Sequence, residues 1–170
     1  FENVRVPAEN LVGAEGQGFK NAMGVLNLNR PTVSAASVGI AQGALDAAMA
    51  YAKDRVQFGQ PIANFQLVQA MLADMAIQIE AARALLYKVT AFIDRDPTHP
   101  KVPMYSSMIK TFASDMAMKV TTDAVQVFGG AGYLQDHPVE RYMRDAKVCQ
   151  IYEGTNQIQR LIIARAMLKD

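Results

Sequence analysis

Tryptophan is absent from this 170-residue chain, cysteine occurs once and histidine twice. A single thiol, Cys149, excludes an internal disulfide, and His99 and His137 without cysteine neighbours form no group at metal-ligand spacing, so no metal centre is expected. Cys149 reads as a buried structural thiol in a reducing compartment. An excess of either charge is also lacking, with 17 Lys and Arg against 16 Asp and Glu, a formal net charge of +1 and no basic tract. That balance excludes a nucleic acid or an anionic membrane surface as a partner held by bulk electrostatics, and leaves a nucleotide-like ligand to a local cluster. No apolar run reads as long enough to cross a bilayer, and the first residues follow neither a signal-peptide nor a transit-peptide pattern, so no membrane insertion is expected. Internal repeats, low-complexity tracts and sustained β alternation are missing as well.

What the chain does have is apolar content. Hydrophobic residues make up 51% and charged residues 19%, enough for one well-filled core, in a length too short for a second substantial domain. From Phe1 to Gly18, Val4 and Val6 alternate before Leu11-Val12, which reads as a last strand and a connector; a strand without a sheet implies preceding sequence. Phe19 to about Asp54 is helical in pattern, and Pro31 is expected to end a turn or kink the helix after Arg30, leaving Asn29-Arg30 at an irregular point. Asn64 reads as a helix cap. Behind it Phe65, Val68, Leu72, Met75, Ile79, Ala82, Leu86, Val89 and Ile93 step by three and four, the seam of a bundle helix. Asp94 to Pro103 is a proline-rich loop, and a helix from about Met104 to Phe128, with Met108, Phe112, Met116, Val120 and Val127 inward, ends at Gly129-Gly130. Shorter segments follow from Pro138 and Thr155. The fold class is therefore all-α, an up-and-down four-helix bundle of about four long helices and a short one, with a short N-terminal extended segment. The boundary falls between 1–18 and 19–170.

One acidic residue stands out by its setting. In Ile151-Tyr152-Glu153-Gly154-Thr155-Asn156-Gln157-Ile158-Gln159-Arg160, Glu153 sits on a glycine turn just before Thr155 caps a helix carrying Ile158, Leu161, Ile162 and Arg165 at helical spacing. A carboxylate on such a corner can be aimed into a cleft as a positioned base, with glycine allowing close backbone approach; a solvated turn glutamate is the plain alternative. The methionines Met71, Met75, Met108 and Met116 read as core filling, and Gly13, Gly16 and Gly18 lack the βα unit that a dinucleotide fingerprint requires.

That segment, with RYMRDAKVCQ before it, closely resembles the active-site stretch of the acyl-CoA dehydrogenase family. Arg55-Val56-Gln57-Phe58-Gly59, Phe65-Gln66, Gln126 to Tyr133, and the opening Phe1 to Pro7 with Asn10 to Gly13 resemble the same family in the same order, across nearly the whole chain. The resemblance implies an FAD-dependent enzyme that introduces an α,β double bond into an acyl-CoA thioester, with Glu153 as the base for the α-proton and hydride passing to the flavin. Some members carry the base immediately before the arginine matching Arg30, where this chain has Asn29, leaving Glu153 as the family-matched candidate.

For FAD, the resemblance implies contacts from Arg55, Phe58 and Gln66 to the adenosine diphosphate half, further contacts from Gln126 and Gly130, and contacts from Thr155 and Gln157. On local features alone Arg55 also reads as a solvated helix-end cation, Gly129-Gly130 as a helix terminator, Thr155 as a plain N-cap and Gln157 as a surface glutamine. Asn27, Arg30 and Gly154 match positions along the acyl-CoA path, although many members have aspartate where Asn27 stands.

In this family a helical domain and a β domain precede the bundle, so the resemblance implies that the chain is a fragment: the end of the middle β domain, then the bundle. It further implies a homodimer or homotetramer, an electron-transferring flavoprotein as acceptor, and a cytoplasmic location, or the mitochondrial matrix in a eukaryote. The chain alone is expected to be catalytically inert and to hold FAD weakly or not at all. The alternatives are an acyl-CoA oxidase or a flavin monooxygenase of the same fold, and a helical interaction module without chemistry.

Overall fold

The computed structural model describes residues 1–169 and is built from helices, as the periodicity requires. Helix α1 spans Gly18–Asp54, α2 Gln66–Arg95 and α3 Val102–Phe128, followed by the shorter α4, Val139–Cys149, and α5, Asn156–Met167. Three long helices and two short ones thus take the place of the four long and one short expected. Helix α1 packs chiefly on α3, α2 packs on both, α4 packs on α1 and α3, and α5 lies against α3.

The seam read from sequence is the buried face of α2, where Met75, Ile79, Ala82, Leu86 and Val89 enter the core. Opposite it α1 buries Val38, Ala41, Ala44, Leu45, Ala48 and Ala52, mostly alanines that let helices approach closely. Met75 and Met116 are core filling as read, and Cys149 is a buried free thiol.

Several expectations are corrected. Helix α1 runs unbroken through Pro31. A proline removes one donor, and here the turn around it is tied by Ser34 Oγ, which donates to Arg30 O at 2.6 Å, while both Arg30 and Pro31 are buried against neighbours. Asn64 caps nothing: it closes a single 3₁₀ turn, Ile62–Asn64, and Phe65 occupies the cap position of α2. Gln69 Nε2 ties this start down by donating to Ala63 O at 2.9 Å. Phe112 is exposed rather than inward, because α3 is surrounded by four helices and buries the polar Ser106, Ser107, Lys110 and Ser114 on another side. Residues 1–17 form no strand; their one regular element is a 3₁₀ turn, Ala8–Asn10, since an extended segment needs a partner to pair with. By length and composition α1 would pass as a membrane span, against the expectation that no stretch does, but its apolar face is committed to the bundle core.

Between α1 and α2 lies a small antiparallel hairpin, β1 (Val56–Gln57) with β2 (Gln60–Pro61), paired Val56 to Pro61 and Gln57 to Gln60. Its two-residue turn, Phe58-Gly59, has φ of 52° and 81°, the left-handed pair that matches strand twist. The hairpin lifts the Phe58 ring into solvent, 93% exposed.

Candidate active site

Glu153 stands on a corner between α4 and α5. After Cys149 the chain turns through bonds from Ile151 N and Tyr152 N to Val148 O, and Thr155 Oγ1 then accepts from Ile158 N at 3.4 Å to start α5, the cap read from sequence. Glu153 itself has φ of 58° and Gly154 φ of 90°. A left-handed glutamate costs about 1 kcal/mol or more and persists only where its surroundings hold it. At Gly154 the backbone conformation disfavours a side chain, and an added Cβ would lie 2.7 Å from Gln159 Nε2, so that amide would have to shift away from the carbonyls it holds.

The surroundings that hold the corner come from three helices. Asn29 Nδ2 donates to Glu153 Oε1 at 2.8 Å, and Glu153 Oε2 is buried without a hydrogen-bond partner. From α1, Arg30 Nε donates to Glu153 O at 3.2 Å and Arg30 Nη1 to Asn27 Oδ1 at 2.7 Å. From α3, Lys110 Nζ donates to Gly154 O at 2.9 Å and to Asn156 Oδ1 at 2.7 Å. From α5, Gln159 Nε2 donates to both Glu153 O and Gly154 O. Asn156 Nδ2 passes the chain on to Ser114 Oγ and Asp115 Oδ1, each at 2.8 Å, and Asp115 also accepts from Gln150 and Arg160.

The buried cations feel this setting. Burial lowers Arg30 below the usual arginine value, opposed by the charge of Glu153, and lowers Lys110 to about 8, with the Arg30 charge acting in the same direction. For Asp115 burial alone would raise the pKa, yet donors from Arg160, Gln150 and Asn156 bring it below the ordinary carboxylate value. The Tyr152 phenol is pushed up to about 12, first by burial and then by its contact with the Cys149 thiol, and stays protonated.

Of the residues singled out in the sequence, Glu153, Gly154, Asn27 and Arg30 come together here. Arg30 is only 3% exposed and engages Nε and Nη1 inside the protein, so it anchors the corner from behind. The remaining candidates fall into two other places. Arg55, Gln126 and Gly130 line one cleft with the stacked rings of Tyr51 and Phe128, and the groove holding Phe58 and Gln66 adjoins it through Gln57, Ile62 and Val127. Thr155 and Gln157 line a separate cleft with Asp115, Lys147 and Arg160. Arg55 makes no ion pair among the described residues, and with an exposed aromatic ring and a glycine turn nearby the first cleft suits an extended anionic ligand with an aromatic end.

Sequence reading missed Asn29 as a partner of the carboxylate, and missed Lys110, Asn156, Gln159 and Asp115 altogether. One signal was available: Ser107, Lys110, Thr111 and Ser114 place a polar strip at helical spacing along one side of α3.

Residues 16–168 match the sequence profile described as the acyl-CoA dehydrogenase C-terminal domain. The chain is 59% identical over 169 residues to a probable acyl-CoA dehydrogenase of Mycobacterium tuberculosis, covering 99% of this chain and 43% of that protein. Among solved structures, one from work on the electron transferring flavoprotein of Acidaminococcus fermentans superposes with a TM-score of 0.93 at 55% identity, over 100% of this chain and 44% of that one. Butyryl-CoA dehydrogenase from Megasphaera elsdenii gives 0.92 at 50% identity, over 99% and 43%. The chain spans less than half the length of these relatives.

Proposed function

The chain belongs to the acyl-CoA dehydrogenase family, whose C-terminal domain it matches, and from that premise we propose that the full-length protein dehydrogenates an acyl-CoA thioester with Glu153 as the base. The observation that carries this reading is the asymmetry of the carboxylate. Oε1 is held by Asn29 while Oε2 is buried without a partner, so one oxygen is oriented and the other is left to accept a proton. A solvated turn glutamate would have both oxygens in water.

In this reading Glu153 removes the α-proton of the thioester, and the resemblance gives the backbone N–H of the same residue the task of polarising the thioester carbonyl. FAD, when bound, supplies the acceptor for the hydride that leaves the β carbon. Arg55, Phe58, Gln66, Gln126 and Gly130 would hold it from one cleft, Thr155 and Gln157 from the other. The two clefts share no lining residue, which supports a cofactor site divided between subunits. Gly154 allows the acyl-CoA to approach the corner backbone, and Asn27 and Arg30 support that wall from α1. Residues 1–18 belong, in the same reading, to the end of a β domain, and an electron-transferring flavoprotein takes the electrons onward. The isolated chain lacks one wall of the site, so it would be inert and bind FAD weakly.

Glu153→Gln in the full-length holoenzyme tests the assignment. Flavin bleaching by an acyl-CoA under anaerobic conditions should slow by at least ~100-fold with FAD still bound. Bleaching at the wild-type rate would overturn it.

A further inference from the structure

We propose that Lys110 is a positioning residue for this site: its ammonium holds the Gly154 carbonyl against the bundle and is itself anchored through Asn156 to Ser114 and Asp115. The proposal rests on the reading of Glu153 as the base.

Lysine is almost never fully buried unless its charge is paired, yet Lys110 is 1% exposed and makes no ion pair among the described residues. Its partners are two neutral oxygens, Gly154 O at 2.9 Å and Asn156 Oδ1 at 2.7 Å. A cation kept inside a core at that cost does something an apolar side chain there could not. What it does is aim a carbonyl.

The need for this follows from Gly154. Glycine lets the peptide planes on either side of it rotate at little cost, and the residue before it is a glutamate in a left-handed conformation that it would leave if released. Two successive carbonyls at this corner are nevertheless fixed. Arg30 and Gln159 hold Glu153 O, and Lys110 and Gln159 hold Gly154 O. Because a trans peptide points its N–H opposite to its C=O, holding both oxygens toward the bundle turns the N–H groups of Gly154 and Thr155 away from it and sets the base of the Glu153 side chain. Gln159 belongs to the helix that the corner begins, so it moves with the corner. Lys110 belongs to α3, the helix that touches all the others, and ties the Gly154 carbonyl to the core, as Arg30 from α1 ties that of Glu153. Asn156 completes the device by accepting from Lys110 through Oδ1 and donating to Ser114 and Asp115 through Nδ2.

The test uses the full-length holoenzyme and two readouts, amide hydrogen exchange over residues 150–157 and the rate of flavin reduction by butyryl-CoA. Lys110→Met should speed exchange in that segment while the rest of the bundle keeps its protection. It should also lower the limiting rate of flavin reduction by about 10- to 100-fold, with the half-saturating butyryl-CoA concentration changed less than about twofold, as expected when a reacting group is displaced and binding is intact. Lys110→Arg, which keeps a charged donor, should recover part of both. If Lys110→Met does not accumulate as folded flavoprotein, Asn156→Ala carries the same readouts, since it leaves the cation and cuts its anchor. Wild-type exchange over 150–157 in these variants, whatever happens to turnover, would overturn the proposal. If Glu153→Gln reduces its flavin as fast as wild type, the base assignment fails on its own, and the exchange result still decides whether Lys110 holds the corner.

Discussion

Asn29 on α1 and Glu153 on the corner before α5, 124 residues apart, meet in a 2.8 Å hydrogen bond from Asn29 Nδ2 to Glu153 Oε1. The amide cannot exchange a proton with the carboxylate at neutral pH, so its part is to orient. It fixes which oxygen is held and which is left without a partner.

Asn29→Leu in the holoenzyme should therefore slow flavin reduction about tenfold, the equivalent of ~1.4 kcal/mol, within the range for a buried hydrogen bond lost with one partner left behind. Rapid-mixing measurement of flavin bleaching decides it. An unchanged rate would mean that the carboxylate is oriented without Asn29.

Gly154→Ala should be severe for so small a change. The added methyl meets Gln159 Nε2, and the left-handed backbone penalises any Cβ, so a stability loss of about 1–3 kcal/mol is expected alongside loss of turnover. Denaturant unfolding of wild type and variant measures the first part, and equal midpoints would contradict it.

Lys110 carries a stability effect with a definite sign. Its pKa falls from 10.5 to about 8 in the folded protein because burial disfavours the charge. Between those values the unfolded chain holds a proton that the folded one has released, so stability from this group rises with pH; below about 8 both states are protonated and the penalty is fully present. The melting temperature of wild type relative to Lys110→Met should accordingly increase from about pH 7.5 to about pH 9.5. A difference that stays flat would mean that Lys110 titrates as it does in water, and one that shrinks that the folded protein holds this proton more tightly than the unfolded chain; either contradicts the prediction.

Full-length protein should be a dimer or a dimer of dimers with the bundle at the interface. Phe58 at 93% and Leu67 at 83% exposure share a groove beside Arg55 and Gln126, an apolar area that a second subunit would cover. Light scattering of the holoenzyme checks this, and a strict monomer with full FAD occupancy would contradict it.

Helix identity was legible because its causes are short-range. The three-four stepping from Phe65 to Ile93, the Thr155 cap and the glycine ending at Gly129 each act within a turn or two of chain, and each appears in the fold. The same locality misled where a neighbour overrode it. Pro31 reads as ending a turn or kinking α1, but burial and the Ser34 bond keep the helix continuous across it, and Phe112 reads as inward on a helix whose buried side follows its four neighbours.

Glu153 could be singled out by sequence alone, since a glutamate before glycine and a capping threonine is a pattern of adjacent residues. What surrounds it could not. Its carboxylate partner lies 124 residues away, the arginine on its carbonyl 123, and the lysine on the next carbonyl 44 from Gly154. Sequence by itself determined the elements and the position of the acidic corner, because dihedral preference, capping and periodicity depend on near neighbours. Only the packing of α1, α3 and α5 decided which donors meet that corner and which oxygen of Glu153 is left unpaired, because hydrogen bonds across such separations exist only once the helices have docked.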